Sequence, residues 1–173
     1  MLVKTYGAAI YGVHAYTVTI EVSVEPGVSF FLVGLPDNAV KESQQRVESA
    51  IGQCGYKIPG KKVVVNMAPA DIRKEGSAYD LPIAISILAA NGDIKSENLD
   101  QYFIMGELSL DGSLRPIKGA LPIAIEARRQ KFKGIILPKA NAREAAIVNN
   151  LEVYGADNIQ QVIDFVNGNG EIP

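Results

Sequence analysis

One cysteine, one histidine and no tryptophan leave little obvious chemistry in a chain of 173 residues. With Cys54 alone no internal disulfide can form, which points to a reducing cytoplasm. Cys54 closes an apolar-periodic segment just before Gly55 and reads as a packed structural thiol. His14 has no Cys, Asp or Glu at ligand spacing, so no metal centre is expected. No apolar run is long enough to cross a bilayer, and the start M-L-V-K-T lacks the apolar core of a signal peptide. A membrane partner is therefore not expected. Neither sign of charge dominates: 17 Lys and Arg face 19 Asp and Glu. That balance argues against a nucleic-acid module that works by bulk charge.

What is present is an organising stretch, Lys74 to Ala90, K-E-G-S-A-Y-D-L-P-I-A-I-S-I-L-A-A. A polar turn runs into an apolar helix. Ser77 and Asp80 can accept from free backbone N–H groups at the helix start, and Pro82 sits where a missing N–H costs nothing. From Leu81 to Ala90 only Ser86 is polar, so the helix is expected to be central and buried. Polar residues at the mouth of a buried helix make a candidate site.

Around it the chain alternates strands and helices. Residues 2–11 and 14–24 read as strands about a turn at Gly12, the second alternating from Tyr16 to Val24. A strand at 28–33, a helix from Asp37 or Asn38 to Gln53, and a strand at 62–67 follow. Val40, Val47, Ala50 and Ile51 form that helix's apolar stripe, and Lys41, Glu42, Gln45, Arg46 and Glu48 its wet face. After the buried helix come a strand at 102–108, an Asp111-Gly112 hairpin turn and a return strand at 114–117. A second capped helix then starts near Ala120. The tail is read as strand 134–137, helix 142–149, strand 151–154 and helix 159–166. This is an α/β rhythm. Residues 1–167 are expected to form the domain and 168–173 to begin a linker. Gly55 to Lys62 matches G-x-x-x-x-G-K but ends in Lys, and lies between a helix and a strand in the wrong order for a phosphate loop. No nucleotide site is expected in this chain.

Three blocks carry a resemblance: V-G-L-P-D-N-A-V-K-E-S (33–43), N-M-A-P-A-D-I-R-K-E-G-S-A-Y-D-L-P-I-A (66–84) and G-E-L-S-L-D-G-S-L-R-P-I-K-G (106–119). Together they resemble the N-terminal domain of the magnesium-chelatase-like AAA+ proteins, the ComM/YifB family. The resemblance implies a two-layer α/β (α+β) fold of the ribosomal protein S5 domain 2-like class, shared with the proteolytic domain of Lon. It also implies a longer protein with a separate AAA+ ATPase module, which would use ATP and Mg2+ and work as a hexamer in DNA branch migration during natural transformation. This domain itself is expected to need no cofactor. Its expected partners are its own ATPase module and neighbouring subunits, with DNA a further candidate.

The Lon comparison can be made residue by residue. Its nucleophile motif, K-D-G-P-S-A-G, laid on Lys74 to Asp80 puts the serine on Ala78. Its lysine motif, P-I-G-G-L-K, laid on Pro116 to Leu121 puts the lysine on Leu121. Hydrocarbon can neither attack a carbonyl nor take a proton, so this resemblance implies a pseudo-protease. Ser77 and Lys118 lie close to those positions. The alternative reading is a displaced Ser–Lys peptidase dyad; the simpler one is a capping Ser77 and a solvated Lys118. Glu107 and Asp80 read as structural polar groups of the same cleft. A third reading, a DNA-binding platform, would use Lys57, Lys61 and Lys62 together with Arg128, Arg129, Lys131 and Lys133.

Overall fold

A computed structural model gives the fold and describes residues 1–57, 60–170 and 172. The chain opens with the long hairpin of β1 (Leu2–Tyr11) and β2 (His14–Pro26), paired antiparallel through their whole overlap. Gly12 supplies the positive φ that a two-residue hairpin turn needs. Then come β3 (Ser29–Val33), α1 (Asn38–Lys41), α2 (Ser43–Gln53) and β4 (Lys61–Ala68). The buried helix α3 (Asp80–Ala90) leads to β5 (Tyr102–Ile104) and to the small hairpin β6 (Glu107–Leu108) and β7 (Leu114–Arg115). The chain continues through α4 (Ala120–Arg129), β8 (Gly134–Pro138), α5 (Ala142–Ala145), β9 (Glu152–Ala156) and α6 (Ile159–Val166). Seven strands form one sheet in the order β3-β4-β2-β1-β5-β8-β9, and β6 pairs with β7 apart from it. The β3–β4, β1–β5, β5–β8 and β8–β9 pairs are parallel, the other two antiparallel. This is the expected α/β class.

All of α3 is buried, between the sheet and α2. Its I-x-I-x-I spacing would suit a strand on its own, and β-branched residues weaken a helix. Burial on every side decides the matter, since each covered Leu or Ile contributes about 1.5–3 kcal/mol. Thr5 of β1 and Ser86 of α3 satisfy one another inside this layer, their hydroxyls 2.7 Å apart. Thr17 lies three residues from the buried Ile20 on β2, so it points to the reverse face. There it donates to Glu126 of α4 at 2.7 Å. Thus α2 and α3 make the second layer, and α4 covers part of the sheet's other side.

Four expectations change. The helix expected from residue 38 to Gln53 is broken at Glu42. The guanidinium of Arg46 donates to the Ala39 carbonyl at 2.7 Å, the acceptor that a continuous helix would offer to the Ser43 N–H. The strand expected at 102–108 splits after Ile104, because Gly106 leaves the sheet to pair with the approach to α3: its N–H meets the Ala78 carbonyl at 2.8 Å and its own carbonyl takes the Leu81 N–H at 3.0 Å. The return strand expected at 114–117 covers only Leu114–Arg115, since its partner β6 has just two residues. The helix expected at 142–149 stops at Ala145, where the bonds tighten to Val148 N–H on Ala145 and the chain reverses through Asn150 at φ +61°. The Gly55–Lys62 segment does join a helix to a strand, though its Ile58 and Pro59 lie outside the described residues. In the expected linker, Asn169 N–H bonds the Asp164 carbonyl and Ile172 is buried, while Glu171 and Pro173 lie outside the described residues.

Candidate functional site

The segment between β4 and α3 is held by the segment that precedes α1. The Lys74 N–H meets the Leu35 carbonyl and the Asp37 N–H meets the Lys74 carbonyl, both at 2.9 Å. Asp37 caps α1 with one carboxylate oxygen, 2.8 Å from Val40 N, and takes the Gly76 N–H with the other at 3.0 Å. Lys74 itself is wholly buried, and its amine donates to the Pro69 carbonyl. Burial pushes that amine below its ordinary pKa, partly offset by Asp71.

These ties deliver Ser77, Ala78 and Tyr79 to one wall of a cleft of about 710 Å³. Ile10, Met105, Glu107 and Lys118 line the rest of it. Tyr79 donates from its hydroxyl to the Ala8 carbonyl at 3.0 Å, pinning the start of α3 to β1. Burial pushes that hydroxyl far up. Ser77 does not cap α3, contrary to expectation. The residue preceding α3 is Tyr79, in helical conformation with no side-chain cap, and the Ser77 hydroxyl donates to Glu107 instead. Glu107 also sits 3.7 Å from Arg115 Nε, which donates to Ser109 Oγ at 2.7 Å.

Lys118 lines the same cleft, is exposed and makes no ion pair among the described residues. Leu121 lies in the first turn of α4, half-buried and outside the cleft lining, its N–H on Glu144 at 2.9 Å. Ala78 lines the cleft with a methyl group. The Gly76 N–H, which could have faced a reacting oxygen, is already taken by Asp37.

Asp80 lies beneath the cleft rather than in it. Its carboxylate is fully buried and accepts from Ser43 Oγ (2.6 Å), Arg46 Nε (2.6 Å), Arg46 Nη2 (3.1 Å) and Leu108 N–H (3.0 Å). It therefore joins α2, α3 and β6, and does not cap its own helix. Burial raises its pKa above the ordinary value, while Arg46 and Ser43 hold it down in part. Arg46 was expected on the wet face of α2. No helical periodicity announces it, because an arginine that turns inward to a distant aspartate has the same spacing as one that turns out.

The basic candidates do not converge. Lys61 and Lys62 begin β4, with Lys57 just before, while Arg128, Arg129, Lys131 and Lys133 follow one another from the end of α4 into β8. In the sheet, β2, β1 and β5 separate β4 from β8. Two of these cations already have partners: Lys62 lies over the Phe31 ring, and Arg129 pairs with Glu126 at 3.3 Å. Among the described residues no group of His, Cys, Asp and Glu could hold a metal ion, and no helix is long and apolar enough to cross a membrane. His14 is exposed at the hairpin turn, and Cys54 is half-buried with its thiol pKa raised by burial.

Comparison with known proteins agrees with the resemblance. A family model described as subunit ChlI of Mg-chelatase matches residues 20–141. The chain is 43% identical over 173 residues to the competence protein ComM of Haemophilus influenzae, covering 99% of this chain and 34% of that protein. It is 44% identical over 161 residues to YifB of Escherichia coli, covering 92% and 32%. An archaeal Lon protease of Thermococcus kodakarensis is 26% identical over 173 residues, covering 94% of this chain and 27% of the protease. The chain thus spans about a third of the length of the ComM and YifB relatives it matches. It belongs to the magnesium-chelatase ChlI-like family of ComM and YifB.

Proposed function

We propose that this domain is a non-catalytic assembly and coupling element of a ComM-type AAA+ ATPase. In the longer protein it helps a ring of subunits form and couples ATP hydrolysis, performed elsewhere, to DNA branch migration in natural transformation. One observation carries the reading: the hydroxyl in the cleft is bonded to a carboxylate, while the neighbouring position holds a methyl group. A nucleophile needs a base free to take its proton. Glu107 faces Arg115, which favours the charged carboxylate and makes it a poorer proton acceptor.

The reading has a direct test in the longer protein. Removing residues 1–167 will lower the mass of the nucleotide-bound assembly, measured by light scattering, while the isolated chain will show no heat of ATP binding in calorimetry. An undiminished ring without this domain, or stoichiometric ATP binding by it, would contradict the proposal.

The second reading is the Ser77–Lys118 peptidase, favoured by the fact that both residues line one cleft. It requires the serine to exchange its carboxylate partner for the amine. A DNA platform is weaker, because the basic residues stand in two separate groups on the sheet.

A further inference from the structure

We infer that the free edge of β3 is a self-association surface that pairs antiparallel with β3 of a second copy of this chain. This goes beyond the coupling role and stands on the strand itself. β3 ends the sheet and bonds to β4 on one side only. A strand edge presents unpaired N–H and C=O groups, and proteins that remain monomeric blunt such edges with charge, proline, a bulge or a covering segment. From Val28 to Val33 the sequence V-S-F-F-L-V contains no charge and no proline. Its apolar side chains are not withdrawn either: Val28 is 93% exposed, Phe31 49% and Val33 46%. Lys62, whose amine is 5.8 Å from the centroid of the Phe31 ring, masks that ring and leaves the backbone edge free.

The occupant follows from charge. A two-fold contact sets each residue against a residue of the same strand, and like charges directly opposite are unfavourable. An uncharged strand is complementary to itself. About a two-fold axis at Phe31, Ser29 meets the second copy's Val33 and Phe30 its Leu32. The half-buried pair Phe30 and Leu32 then covers its counterpart on the helix-bearing face of the sheet.

Sedimentation velocity on this chain across micromolar to millimolar concentration tests the inference. The expected result is a species of twice the 18.6 kDa chain mass. Phe31→Lys and Phe31→Glu will each be monomeric, and their mixture will restore the dimer. Should either variant fold poorly, hydrogen exchange on the unmodified chain decides: amides of residues 29–33 will slow as concentration rises. A monomer at every concentration, open-ended aggregates in place of a dimer, undiminished dimers of both charge variants, or exchange at β3 independent of concentration would each overturn it.

Discussion

Replacing Arg46 by alanine will cost the domain about 3–5 kcal/mol of unfolding free energy, the range seen when one partner of a buried ion pair is removed. The loss arises less from the missing attraction than from the stranded charge. Asp80 is fully buried, and without the guanidinium only Ser43 and the Leu108 N–H would face its carboxylate. Domains of ordinary stability have about 5–15 kcal/mol in all, so this is a large share. Adding Asp80→Asn to the alanine variant will recover part of the loss, because an amide still accepts those two bonds and carries no charge.

The pH dependence of the alanine variant has a definite sign. Burial already raises the Asp80 pKa with Arg46 in place, and without Arg46 less opposes it. An acid raised on folding contributes stability while it is protonated, and loses that contribution as pH rises through its folded pKa. The deficit of Arg46→Ala relative to the parent will therefore shrink on acidification from neutrality toward the ordinary carboxylate range. Urea unfolding at several pH values, with the slope held constant, measures it.

Gly34→Ala will cost about 2–5 kcal/mol, combining backbone strain with overpacking. Gly34 lies at φ +111°, a conformation L side chains rarely adopt, and an added Cβ would stand 2.2 Å from the Met67 carbonyl oxygen. That oxygen belongs to β4 and cannot swing aside as a flexible side-chain tip could. The segment that follows Gly34 carries Leu35 and Asp37, which hold Lys74 and Gly76 at the approach to α3. The variant should thus lose stability by urea unfolding and also loosen the cleft, seen as faster hydrogen exchange of the Gly76 and Lys74 amides. Stability within about 0.5 kcal/mol of the parent would mean that Gly34 is an ordinary surface position.

Much of this fold was legible because its strands and its buried helix announce themselves. The alternation of β2, the uniform apolarity of α3 and the Asp111-Gly112 turn each describe a local preference that the tertiary structure keeps. What escaped reading are the long-range polar ties. Arg46 has the spacing of a solvated residue, and only Asp80, 34 positions away, turns it inward. Ser77 looks like a cap because it precedes a helix by a few residues, yet a carboxylate 30 positions on takes its hydroxyl. The break within α1–α2 has the same origin, since it depends on which group reaches the Ala39 carbonyl. Side-chain bonds between distant segments leave no periodic trace.

Exposure of the chain to a fluorophosphonate probe, followed by intact-mass measurement, puts the cleft to its most direct test. A serine with a carboxylate for a partner and no neighbouring amine at hydrogen-bonding distance should remain unmodified at probe levels that label working serine hydrolases to completion. The expected spectrum shows the mass of the untreated chain. A stoichiometric adduct on Ser77, abolished by Lys118→Ala with the fold intact, would instead make this domain an enzyme.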